Sequence, residues 1–248
     1  MEVHHHAHTA RKKWTHYFWE FLMLFLAVFC GFMAENFREH KVEHHREKQY
    51  METMVEDLEK DTANLHTSIS FWSSVDSAIK KCRPLLKPPA DKRNVRDIYS
   101  LASSLINFDA FIYNDRTIQQ LRNSGSFRLI RNKEVSESII TYDAYIRNQL
   151  RDQESFEKEF LLTILSYQNE LFDSEIIEAI LTQQDVLTDS LLTKSTQNWQ
   201  INNGLYFKYY NELLLYQAGA IYILNTEKDL KQKAVALITL IKKEYHLD

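Results

Sequence analysis

Glycine and proline are nearly missing from this chain of 248 residues. It holds four glycines (Gly31, Gly125, Gly204, Gly219) and three prolines (Pro84, Pro88, Pro89), where average usage would give about 17 and about 12. An all-β or α/β chain of this length needs many tight turns, and those turns need both residues. The shortage therefore points to long helices. Cysteine is as sparse. Cys30 sits in a hydrophobic run and Cys82 far beyond it. An intrachain bridge needs Cα atoms within about 7 Å, so Cys82 is read as a buried free thiol. An interchain bridge is the alternative in an oxidising compartment.

An excess of positive charge is lacking too. Thirty basic and 34 acidic residues are interspersed, for a formal net charge of −4. No sustained basic face is left to neutralise a phosphate backbone, so nucleic acid is excluded as a partner. The sequence has no HExxH, no Walker phosphate loop, no GxGxxG, no GxSxG and no CxxC pair, the patterns that fix metal, phosphate, dinucleotide or acyl-transfer chemistry. Serine, histidine and acids are present, but nothing places them together. No enzymatic activity and no cofactor are expected.

What is present is one apolar stretch near the N-terminus. Residues 17–34 read YFWEFLMLFLAVFCGFMA, with Glu20 the one charge. The uninterrupted part, Phe21 to Ala34, makes about 21 Å of helix, short for a hydrocarbon core of about 30 Å. Trp14, Tyr17, Phe18 and Trp19 extend it as an aromatic belt. A cleaved signal peptide needs small residues before the cut, and Phe29, Phe32 and Met33 crowd those places. A lipoprotein cysteine would follow a small residue, yet Phe29 precedes Cys30. A buried core helix is the third alternative. The reading taken is an uncleaved signal-anchor in contact with membrane lipid. Lys and Arg flank both ends, but the compact triplet Arg11-Lys12-Lys13 has no neighbouring acid and favours the N-terminus inside. Most of the chain would then lie outside the cytoplasm.

Glu35 to Cys82 contains neither Gly nor Pro, so one helix can run on from the anchor. Its first part, to Gln49, is charged and nearly free of apolar residues. After it Met51, Leu58, Leu65, Trp72 and Ile79 recur every seven residues, with Val55, Thr62 and Ile69 between them, a coiled-coil type of seam. The segment 83–93 should break the helix at its prolines. Asn94 should start a short amphipathic helix carrying Val95, Ile98, Leu101, Ala102, Leu105 and Ile106. A further short helix near 115–122 should stop at Asn123-Ser124-Gly125, and Asn132 should cap a second long helix. Its seam runs Val135, Ile139, Tyr142, Ile146, Leu150, Phe156, Phe160, Ile164, Tyr167, Leu171. Residues 173–200 read as short helices and loops, with Ser174 and Asp185 as caps. Asn203-Gly204 reads as a turn before a third long helix, seamed by Tyr209, Leu213, Tyr216, Ala220, Ile223, Leu230, Ala234, Leu237 and Ile241. The expected fold is all-α. A tail (1–16) leads to a transmembrane helix (17–34) and a charged stalk (35–50), then an elongated antiparallel helical bundle (51–248).

Two stretches carry a likeness to known sequences. HHHAH and a basic cluster precede EFLMLFLAVFCGFMAENFREH (Glu20–His40), and YNDRTIQQLRNSGSFRLIRNKEVSESIITYD spans Tyr113–Asp143. Together with the C-terminal KAVALITLIKKEYHL they resemble a family of uncharacterised single-pass membrane proteins of Bacteroidetes-type bacteria. The resemblance covers most of the chain. It implies an inner-membrane anchor and a helical extra-membrane domain, and it carries no activity.

Four groups of residues merit attention. His4, His5, His6 and His8 could capture Zn, Ni or Cu on a flexible tail; a plain disordered tail is the simpler account. Glu35, Glu39, Glu43 and Glu47 share one helical stripe, where like charges repel by a few tenths of a kcal/mol per pair. They could meet a partner helix or a divalent cation, although a solvated stalk explains them too. Glu20 is an ionisable group in an apolar run, which is functional by default, but it lies near one end rather than the midplane. Arg122, Arg128 and Arg131 surround the Gly125 turn and could grip carboxylates or phosphates, or cap helices and pair with Asp115 and Glu134. The favoured reading is a membrane-tethered interaction or scaffold protein that binds itself or another membrane or periplasmic protein. The alternatives are a ligand-sensing bundle and a subunit of an ion-motive complex. The short tail argues against a transmitting receptor. A polar pocket lined by Arg122 or Arg128 would favour sensing; a filled core with an exposed apolar stripe would favour assembly.

Overall fold

The computed structural model describes residues 14–107, 111–182 and 189–247, and among them every regular element is helical. The long helices are α1 (Trp14–Leu86), α4 (Lys133–Leu171) and α7 (Asn203–Tyr245). The short ones are α2 (Val95–Ser104), α3 (Arg116–Asn123), α5 (Ser174–Leu181) and α6 (Asp189–Ile201). Two compact units divide the chain, one up to Tyr50 and one from Met51 onwards.

The described part of the first unit is the leading stretch of α1. Its apolar side chains are exposed, Phe32 by 69% and Leu24 by 68%, and Phe21, Phe25 and Phe29 stack in turn at 6.2 and 5.9 Å. An all-apolar helix that served as a protein core would be covered. Here none of the most apolar 18-residue window is buried.

The second unit is a bundle of the rest of α1 with α4 and α7. α7 lies antiparallel to both partners. Against α4, Asn132 reaches Glu244 and Tyr222 reaches Gln149. Against α1, Lys242 pairs with Glu59, Ser68 with Glu227, and Gln217 with Asp76. The heptad seam of α1 is real, with Met51, Leu58, Leu65, Trp72 and Ile79 all buried. Its second row differs from the expected one. Met54, Asp61, Ser68, Val75 and Cys82 are buried at every step, while Thr62 and Ile69 are only half-covered. The polar residues at 61 and 68 hid this row in the hydropathy pattern. The seams of α4 and α7 face the same core, and all nine seam residues expected on α7 are buried.

Caps explain most boundaries. Asn94 and Asn132 accept from the backbone N–H groups of Asp97 and Val135, three residues on, as N-caps do. Gly125 adopts φ 65° after α3, a left-handed turn that suits glycine. Three boundaries depart from the sequence reading. α1 passes Pro84 and ends at Leu86. So close to a helix end a proline removes a single hydrogen bond, and buried Leu86 offsets that loss. Asp173, not Ser174, caps α5 by accepting from Glu175 N–H, while Asp185 lies outside the described residues. Asn203-Gly204 is the first turn of α7, and the break falls at Asn202.

Short helices α2, α5 and α6 gather around an aromatic cluster. Tyr99 stacks on Trp199 at 5.8 Å and meets Phe172 edge-on at 4.9 Å. The polar tips are satisfied inside: Trp199 Nε1 donates to Leu171 O, and Asp173 N donates to the Tyr99 hydroxyl, as buried Trp and Tyr require. Elsewhere α4 presses the Phe156 ring onto the bare backbone of Gly219 in α7, where a Cβ would overlap it. Phe160, with its centroid 4.2 Å away, braces that ring. Alanine favours helix by about 1 kcal/mol over glycine, yet overpacking costs about 1–3 kcal/mol. Gly219→Ala should therefore lower the melting temperature followed by circular dichroism. A rise would mean that the ring moves aside freely.

Candidate functional site

The richest polar constellation joins α1, the segment entering α3, and α4. Asn64 donates to Ile112 O at 2.9 Å. One turn back, Asp61 Oδ1 accepts from the Asn114 backbone at 2.8 Å and its side chain at 3.0 Å, while Oδ2 accepts from Tyr142 at 3.0 Å. A turn further back, Asp57 Oδ2 accepts from Thr117 N at 2.9 Å and Thr117 Oγ1 at 2.6 Å. Asp115, the residue at the N-cap place of α3, makes no capping bond with its side chain. Asp57 supplies that cap from another helix, with its charge at the positive end of α3. Arg116 closes the corner on Asp57 at 3.0 Å and Glu56 at 3.2 Å.

A second centre adjoins it on α4. Buried Asp143 accepts from Tyr113 at 2.9 Å, from Arg147 Nε at 2.8 Å and from Arg122 at 2.5 Å. Arg147 also bonds Asp115 at 2.9 Å. These are charge-assisted bonds with two planar guanidinium forks around one carboxylate. Tyr113 and Tyr142 stay protonated donors, because burial and the neighbouring Asp143 and Asp61 charges push both phenols up.

Asp61 is the strained member. Burial raises its carboxyl from 3.8 to about 6, against the pull of the Asn114 and Tyr142 donors; Asp57 nearby adds to the rise. It has no exposed surface. A carboxylate that is harder to ionise folded than unfolded opposes folding at high pH. That penalty fades as pH falls through 6 and is gone near the unfolded value. A shift of this size corresponds to about 3 kcal/mol.

The other singled-out residues are placed as follows. Among the described residues no group of three or more His, Cys, Asp or Glu is set to hold a metal, and His4, His5, His6 and His8 lie outside them. Glu20 is exposed, 4.0 Å from His16 Nε2. On the stalk, Glu35 takes both forks of Arg38 at 3.1 and 2.5 Å. That hydrogen bonding and the guanidinium charge hold the Glu35 carboxyl below its usual range. Glu39 is exposed on the same stripe. Glu43 lies 3.9 Å from His40 and Glu47 3.4 Å from His44. Glu47 departs from the solvated stalk: it is buried. The arginines around Gly125 do not converge. Arg122 is spent on Asp143, and Asp115 takes Arg147 as its ion-pair partner. Arg128 sits exposed in the 3-10 turn Ser126–Leu129, and Arg131 is exposed before α4. Leu121 and Ile130 anchor the turn in the core, and Phe127 and Leu129 are half-buried.

Sequence reasoning missed Asp57, Asp61, Asp143 and Arg147. For Asp61 the signal was an acid on the second buried row of α1; Asp57, Asp143 and Arg147 lie off the seam rows and carried no such signal. One open groove of about 870 Å³ runs between α4 and α7, lined by Lys133, Glu137, Tyr142, Tyr145, Lys233 and Leu237 among others. Neither Arg122 nor Arg128 contributes to it. Cys82 is fully buried, and its thiol is pushed up to about 12 by burial, which makes it an unreactive core residue.

No family model, no curated protein and no solved structure matches this chain. Among the described residues one helix, α1, is long and apolar enough to cross a membrane by length and composition.

Asp61→Asn should raise stability at pH 8 and flatten the gain that the native protein shows between pH 8 and 5. Thermal melts across that range test it. An unchanged pH profile would show that Asp61 is ionised at no cost.

Proposed function

We propose that this protein is a membrane-anchored helical interaction protein without catalytic activity. It associates with a second copy of itself or with another membrane or periplasmic protein. In this reading residues 17–34 stay in a bacterial inner membrane, the tail holding Arg11-Lys12-Lys13 is cytoplasmic, and residues 51–248 lie in the periplasm.

One observation carries the reading: α7 is apolar on two opposite faces. Its inner face, from Tyr209 to Ile241, is buried. Its outer face holds Phe207, Leu214, Leu215, Ala218, Ile221 and Tyr222, exposed by 62, 48 and 52% at the first three large residues and by 55% at Tyr222. These positions recur at i, i+7, i+8, i+11, i+14 and i+15, which is one side of a helix. Asn211 and Asn225 lie on the same side, and no charged residue interrupts it. Monomeric soluble proteins seldom expose a contiguous apolar strip of this kind, and a strip rimmed by polar residues is the mark of an interaction face. The inner seams are consumed within the chain, so association falls to this outer strip. The buried acids are engaged by donors of the chain itself, which supports a structural rather than a catalytic use for them.

Full-length protein in mild detergent should run as a species larger than one chain by light scattering. Leu214→Glu with Ile221→Glu should weaken that association at least tenfold while leaving the helical circular dichroism intact. A strictly monomeric native protein, with nothing co-purifying from gently solubilised membranes, would sink the reading.

A further inference from the structure

The corner after α1 gathers positive charge in a chain that is acidic overall. Between residues 80 and 93 stand Lys80, Lys81, Arg83, Lys87, Lys92 and Arg93 against the single acid Asp91. Lys80 is neutralised by Asp76 at 2.6 Å. Among the described residues the two arginines have no acidic partner.

Both guanidinium groups lie over tyrosine rings of α7. Arg93 Cζ sits 3.7 Å from the centre of the Tyr206 ring, and Arg83 Cζ sits 4.5 Å from that of Tyr210. Tyr206 and Tyr210 are one helical turn apart, so the cations occupy adjacent places along one face, separated by about 6 Å of helix rise. Stacking on aromatic faces fixes the planes and leaves the N–H edges to donate. Arg93 uses Nε on Pro88 O at 2.7 Å, which ties it to the stiff Pro88-Pro89 turn. Its Nη1 is buried and meets no acceptor among the described residues; the same holds for Arg83 Nε and for the Tyr206 hydroxyl. Tyr206 is only 3% exposed, and burial keeps its phenol protonated, hence able to donate. A buried donor without an acceptor is costly and rare in folded proteins. Three of them share one corner here.

We infer that Arg83, Arg93 and the Tyr206 hydroxyl form a binding site for a phosphate group, either the inorganic ion or a phosphomonoester. A carboxylate is planar and carries one charge, which a single guanidinium fork satisfies. Two forks one turn apart, with Lys81, Lys87 and Lys92 in the same stretch of chain, match a tetrahedral dianion whose oxygens point in separate directions. The site lies wholly within residues 51–248 and does not depend on the anchoring or the association of the protein. It would give the bundle a ligand to sense.

The test uses the full chain in detergent, titrated with inorganic phosphate and with glycerol 1-phosphate against sodium chloride at matched ionic strength. Thermal stability and isothermal titration calorimetry provide the readouts. At least one phosphate compound should raise the melting temperature well beyond chloride and bind with measurable heat. Arg93→Gln should weaken binding at least tenfold, Arg83→Gln similarly, and Tyr206→Phe by a smaller factor. Arg93→Lys, which keeps charge but loses the fork and the stacking, guards against a variant that fails to fold and should bind weakly. Protection by glycerol 1-phosphate as well assigns the site to a phosphomonoester; protection by inorganic phosphate alone assigns it to the free ion. No effect beyond chloride, or binding retained in both glutamine variants, overturns the proposal.

Discussion

Asp61 has no exposed surface, and it occupies a seam position where the helix repeat calls for an apolar side chain. Burying a carboxylate in that place is tolerable only if donors arrive from elsewhere. They come from Asn114 and Tyr142, and this requirement draws the segment entering α3 and the first turns of α4 onto α1. Asp57 repeats the logic one turn away as a cap for α3. Asp143 repeats it on α4, with Tyr113, Arg122 and Arg147. A long run of chain between α2 and α4 holds little regular structure apart from α3 and a 3-10 turn. It is fixed in place by these carboxylates together with the buried Phe111, Ile118, Leu121 and Ile130.

Buried acids of this kind contribute more to uniqueness than to stability. An apolar seam would tolerate a slide of α1 by one heptad, because every a position then meets a similar neighbour. Asp57 and Asp61 oppose that slide, since in the present register they meet the donors of Thr117, Asn114 and Tyr142 that a slide would take away. Specificity obtained this way is known for single polar residues in coiled coils, and the raised carboxyl of Asp61 shows what it costs here. Ser68 with Glu227, and Gln217 with Asp76, fix α7 against α1 by the same means.

Much of the architecture was legible. The shortage of Gly and Pro gave the all-helical class, and the a-row of α1 and the seam of α7 were read residue by residue. The helix start at Asn94 and the cap at Asn132 were equally plain, because an N-cap is a local bond between residues three apart. The d-row of α1 was misplaced by one position because Asp61 and Ser68 look like surface residues to a hydropathy count. Tyr99 and Trp199 were not singled out either, since the short helices that bear them gain their faces from one another. The loop arginines were noticed for their type, and the resemblance drew attention to Tyr113–Asp143. Neither could reveal that Arg122 would be spent on an internal carboxylate.

Local chemistry settled what the sequence alone could settle: a long apolar leader, helices begun at their caps, and stripes at the helical repeat. Those features depend on residues a few places apart, so they survive in a linear reading. The tertiary structure alone decided which polar residues are core, where Phe156 crosses Gly219, which face of α7 stays bare, and that Arg83 and Arg93 lie side by side on one helix. Each of these is a meeting of residues far apart in the chain, and its energy comes from burial or pairing that exists only after the helices have packed.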